Sequence, residues 1–154
     1  MAMIQRLFPK QIDNTYSGQR LALWLSWFVV LFKIAQSASV IVAGHFTAIS
    51  ADAIPLDSYS PDAAGTILSL FTISAVARLL LCLICVVAML RYRSAVPLMF
   101  LLLVIDYLTR TAVIYVLPIA RSGPVGGVWV NLGLFVLTIV GLVLSLRSRT
   151  SSSR

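Results

Sequence analysis

Residues 66–90 read TILSLFTISAVARLLLCLICVVAML, an apolar run with a single charge, Arg78, near its centre. The run exceeds the roughly 20 apolar residues that a helix needs to cross a hydrocarbon core of about 30 Å. Three similar runs follow from the same reading, at about 21–49, 95–117 and 125–146. Four spans cannot close a barrel, and isolated strands would leave backbone groups unpaired in lipid, so the spans are expected to be helices. Helix punctuation supports the boundaries. Ser60-Pro61-Asp62 supplies a cap, a first-turn proline and an acid at the positive helix end. Pro97 lies in the first turn of the third span, Pro118 stops it, and Gly123-Pro124 opens the fourth. The expected fold is all-α, an integral membrane four-helix bundle.

Composition agrees. Of 154 residues, 60% are hydrophobic and 11% charged, with a mean hydropathy of +0.98. An ordinary soluble domain is about 25% charged. Too few charges are present to coat a water-facing globule, which argues against a soluble enzyme, and disordered chains are poor in hydrophobics. The length fits one domain.

The charges also orient the chain. Twelve Lys and Arg oppose five acids, all Asp (13, 52, 57, 62 and 106), for a net charge of +7. The N-terminal segment 1–20 holds Arg6, Lys10 and Arg20; the link between spans two and three holds Arg91 and Arg93; the tail 147–154 holds Arg147, Arg149 and Arg154. These eight fall on one side of the bundle, against Arg121 alone on the other. The imbalance predicts both termini in the cytoplasm and the loop 50–65 outside. The basic residues are not gathered in one arm, which argues against a nucleic-acid partner. Ala51-Asp52-Ala53 has the look of a signal cleavage site, but the apolar run before it is far longer than the 7–15 residues of a signal core, so an uncleaved span is expected. The stretch Ile4, Leu7, Phe8, Pro9 is expected along the headgroup surface. The Ser- and Arg-rich tail is expected to be disordered.

The informative residues are the charges inside spans: Lys33, Arg78, Asp106 and Arg110. A charge at mid-span costs roughly 2.5–3.5 kcal/mol on insertion scales, so such residues usually face the bundle interior and are paired. Lys33, Arg78 and Asp106 fall near the middle of their spans, at nearly one level. Arg110 lies four residues on from Asp106, roughly 6 Å nearer the outside and on the same helix face. An Asp106–Arg110 pair is natural. Arg78 is expected to approach Asp106 from the side, because a short link should make spans two and three adjacent. Gln36 and Asn131 are placed to add amide hydrogen bonds. The charges do not balance: one carboxylate faces two arginines and a lysine, and a net positive charge is left even with Lys33 neutral. A bound anion, a lipid phosphate, a water-filled cavity or a partner's carboxylate would compensate.

Other features read more plainly. Cys82 and Cys85 form a C-x-x-C inside an apolar run, with no second pair and no nearby His, so packing is expected. His45, the only histidine, cannot by itself build a zinc site. Asp52, Asp57 and Asp62 read as a solvated acidic loop. Gly126, Gly133 and Gly141 line one helix face, read as packing within the bundle, with a dimer seam as the alternative. Trp24, Trp27, Tyr92 and Trp129 sit where an aromatic belt would place them. No catalytic set, metal site or cofactor motif is present.

The stretch Gln11–Trp24 leading to Lys33, then Ile54-Pro55-Leu56-Asp57, Arg91-Tyr92-Arg93 and Pro118-Ile119-Ala120-Arg121, resembles a group of small bacterial membrane proteins of unknown function. That resemblance implies a four-span inner-membrane protein and supplies no activity. The leading functional expectation is a non-enzymatic accessory protein in the bilayer, whose partner is another membrane protein or a second copy. The first alternative is a carrier or binder of a small anion or anionic lipid, built on Lys33, Arg78, Asp106, Arg110, Gln36 and Asn131. The second is a membrane oxidoreductase using Cys82 and Cys85.

Overall fold

The computed structural model describes residues 7–8, 13–14, 16, 18–123 and 125–147. The surface-lying role expected around Ile4 and Pro9, and the tail beyond Arg147, lie outside the described residues. The chain folds as helices α1 (Arg20–Ser50), α2 (Pro61–Arg91), α3 (Val96–Val116) and α4 (Gly126–Leu146), with 3₁₀ turns at Leu56–Ser58 and Arg93–Ala95. All four helices are long and apolar enough to cross a membrane.

Helix α2 starts at Pro61, earlier than its apolar run, because the Ser60 side chain accepts from the Ala63 amide at 3.4 Å and the proline fits the first turn. Helix α1 is bent: Ala43 has φ −131° and ψ 48°. The Thr47 hydroxyl donates to the Ala43 carbonyl at 2.9 Å and to the Ser39 carbonyl at 3.3 Å, across the bend. A side-chain hydroxyl thus serves carbonyls where the helical ladder is broken.

Two ends can be distinguished. The terminal end carries Gly18, the 93–95 turn and Arg147. There the Ser94 hydroxyl donates to the Asp13 carbonyl at 2.9 Å, and the Gln19 amide to the Leu144 carbonyl at 3.3 Å. The distal end carries the loops 51–60 and 117–125. These are stitched together: the Gly127 amide donates to the Ala51 carbonyl at 3.1 Å and the Ser122 amide to the Ala53 carbonyl at 2.9 Å. Ala53 takes a positive φ of 52° to turn its carbonyl there.

Packing is uneven along the bundle. The main core consists of Ala22, Val29 and Val30 on α1, Cys82, Cys85 and Met89 on α2, and Val96, Phe100 and Leu103 at the start of α3. All of these lie in the terminal half. A small distal cluster, Ala48, Ile54 and Leu56, holds the first loop. Outward faces are apolar along their length, with Val42 86% and Tyr115 88% exposed. In a bilayer there would be little water to expel between such helices, and close van der Waals contact would carry the association. Phe100 against Gly141 is one such contact, since a Cβ on Gly141 would overlap the ring. Gly126 and Gly133 have nothing within 4 Å of a built Cβ, so the three glycines do not form one packed face.

Helix α1 packs chiefly on α2 and then on α4, while α3 leans on α4 and touches α2 little. This corrects the expectation that the short link makes α2 and α3 close neighbours. They are joined at the terminal end, but every residue of α3 from Thr111 to Val116 is exposed.

Candidate functional site

Above the core the bundle is hollow. A cavity of about 620 Å³ begins one turn beyond the last core residues, Val30, Cys82 and Leu103, and runs to the distal loops. That volume lies within the roughly 300–1,000 Å³ of typical organic-ligand sites.

Lys33, Arg78, Asp106 and Arg110 all line this cavity, as do Gln36 and Asn131. Helical periodicity explains the gathering: each charged residue continues the stripe that lower down makes the core. Lys33 follows Val29 and Val30 on α1, Arg78 precedes Cys82 and Cys85 on α2, and Asp106 follows Leu103 on α3.

The polar contacts are specific. Arg110 Nε donates to Asp106 Oδ1 at 2.9 Å, and Arg110 Nη1 to Ser74 Oγ on α2 at 2.6 Å. The side chains of this pair are 30% and 17% exposed. Gln36 Nε2 donates to Asn131 Oδ1 at 3.5 Å, linking α1 to α4. On α3, Tyr107 stacks on Phe135 of α4 at 4.2 Å between ring centroids, which turns Asp106 and Arg110 toward the interior.

The expected approach of Arg78 to Asp106 does not occur within ion-pair distance. Asp106 is taken by Arg110, and Arg78 Nε is buried without a hydrogen-bond partner. The reason is the splay between α2 and α3, which leaves the cavity between those two groups. Beside it Ser37 Oγ and Gln36 Oε1 are also buried and unpartnered. Lys33 is only 5% exposed. Burying polar groups without protein partners is expensive, so unpaired groups that face one space are suited to bind a ligand or ordered water there.

The distal loops add charges that sequence reasoning set aside. Arg121 and Asp52 both line the cavity. Burial pushes the Asp52 carboxyl above its ordinary range, opposed by the positive charges of Arg121 and Arg78. Asp52 is therefore not part of a simple solvated loop, although Asp57 is exposed and lies 3.8 Å from His45. Neither Arg121 nor Asp52 carries a sequence signal; their role depends on how two loops fold over one another. Counting the lining, four basic side chains (Lys33, Arg78, Arg110, Arg121) face two carboxylates (Asp52, Asp106). Fully charged, the wall is positive.

Cys82 and Cys85 are both free and buried in the main core. They are packing residues there, and Cys82 sits one turn from Arg78. Comparison with known proteins returns no matching family model, no matching curated protein and no matching solved structure. The function is therefore argued from this chain's own geometry.

Proposed function

We propose that this chain is a four-span membrane protein that binds an organic anion in its central cavity. The observation that carries the reading is the placement of Lys33 and Arg78. Both reach mid-helix depth, both line an internal space, and the buried Arg78 Nε has no partner among the described residues. Intramembrane cations facing a cavity are functional by default, because nothing else repays their insertion. An anion would accept from Arg78 and Lys33 and take the Ser37 hydroxyl as a donor. Arg110, already neutralised by Asp106, would border the site.

In this reading the terminal end faces the cytoplasm, because Arg20, Arg91, Arg93 and Arg147 lie there and Arg121 alone lies at the other end. The resemblance noted above favours a bacterial inner membrane. The accessory-protein reading comes second. A partner carboxylate could neutralise Arg78, but it would have to enter the cavity, since Lys33 and Arg78 line an internal space rather than an outer face.

The test is binding of a carboxylate probe to purified protein in neutral detergent, with native mass measurement. Retention of an organic anion by the wild type and its loss in Arg78→Gln support the proposal. A monomer that holds no anion, and instead captures a membrane protein through Arg78, supports the accessory reading.

A further inference from the structure

The cavity is more than a cation pocket. Its cations and amides lie at its floor, from Lys33 and Arg78 up to Arg110. Beyond them Val40, Phe71, Ala75, Ile114 and Val128 give the wall an apolar stretch, and Asp52 and Arg121 line the space at its distal end. The space also reaches the outside along α3. Thr109 and Val113 line it and are exposed, on the side of α3 turned away from the Tyr107–Phe135 stack that binds this helix to α4. At the distal end the Ala51–Gly127 and Ala53–Ser122 hydrogen bonds hold the loops together, and Ile119 and Arg121 there line the space and are exposed. A charged floor and an apolar side wall are therefore present, and the exposed edge at Thr109 and Val113 sits at the depth of apolar helix surface.

We infer that the ligand is an amphiphilic anion, a single-charged head with a hydrocarbon chain, which enters sideways from the bilayer beside α3. The head sits against Arg78 and Lys33. The chain lies along Val40, Phe71 and Ile114. This rests on the anion-binding reading above and adds the chain and the route. A small inorganic anion would leave the apolar part of the cavity without a matching surface. An amphiphile is already dissolved in the adjoining phase and presents its chain to the apolar wall.

The experiment uses the full chain in phosphatidylcholine nanodiscs with spin-labelled stearate as probe, read by electron paramagnetic resonance. Wild type is expected to show an immobilised component that palmitate displaces and that acetate or inorganic phosphate at the same concentration does not. Arg78→Gln and Lys33→Gln should each weaken the immobilised component by about tenfold or more. Thr109→Trp, a change at an exposed position, should slow its appearance while helix content and monodispersity stay unchanged. Displacement by acetate or phosphate as effective as by palmitate would overturn the amphiphile and leave anion binding standing. An immobilised component that survives both Arg78→Gln and Lys33→Gln would overturn both readings. Unaltered entry kinetics in Thr109→Trp would overturn the route beside α3.

Discussion

Arg110 Nη1 donates to Ser74 Oγ at 2.6 Å, and this bond bridges α2 and α3 where the two helices otherwise stand apart. The same guanidinium holds Asp106 through Nε. One side chain thus ties the loosely packed wall of the cavity to its neighbour.

Asp106→Asn should separate stability from binding. The amide still accepts from Arg110, but the charge-assisted part of the bond is lost, worth about 1–2 kcal/mol. Thermal unfolding in detergent should show a lower midpoint. Anion affinity should rise in the same variant, because the cavity loses a carboxylate. A fall in affinity would mean that Asp106 orients the ligand rather than competing with it.

Arg78→Met should do the reverse. Replacing a partly buried cation whose Nε has no partner with an apolar side chain of similar length removes a desolvation penalty. The ligand-free protein is expected to gain about 1 kcal/mol, a rise of roughly 2–4 °C in midpoint at this chain length, and to lose anion binding. A destabilised Arg78→Met protein would show that Arg78 serves the fold.

The fold was legible in sequence to the extent that periodicity governs it. Helix α2 with its Ser60 cap, the packing of Cys82 and Cys85, and the Asp106–Arg110 pair all follow from local spacing. What sequence did not show depends on relations between helices. The stand-off of α3 from α2 leaves Arg78 unpaired, and no local pattern encodes that gap. Arg121 and Asp52 join the cavity only because two loops cross, and Gly141 alone of its row meets a ring.

Gly141→Val should be among the more damaging single changes. Its side chain would overlap Phe100, and overpacking of this kind costs about 1–3 kcal/mol. The double variant with Phe100→Leu should recover part of the loss. Thermal unfolding of wild type, both single variants and the pair gives the coupling directly; simple additivity would count against the contact.

Anion affinity should depend on pH through Asp52. Burial raises its carboxyl above the usual range, while Arg121 and Arg78 pull the other way. Below that raised value the carboxyl is neutral and leaves Arg121 and Arg78 unopposed by it. As pH rises through it, a negative charge appears beside the cavity and affinity should fall. Asp52→Asn should remove this step from the binding profile measured against pH.

Orientation is checked by labelling. In a Cys82→Ala, Cys85→Ala background, Ser58→Cys at the distal end should react with a membrane-impermeant maleimide added to intact cells. Ser94→Cys, at the terminal end, should react only after the membrane is opened. The opposite pattern would reverse the assignment of sides.

The bend at Ala43 divides α1 into a seated lower portion and an upper portion fastened to the crossed loops. Because Ala51 and Ala53 bind Gly127 and Ser122, that upper portion, both loops and the start of α4 form one cap riding on a hinge. Such a unit is expected to move about the bend more readily than the tightly packed base that holds Lys33 and Arg78. Amide exchange faster at 44–50 than at 22–33 would be the signature of that division of labour.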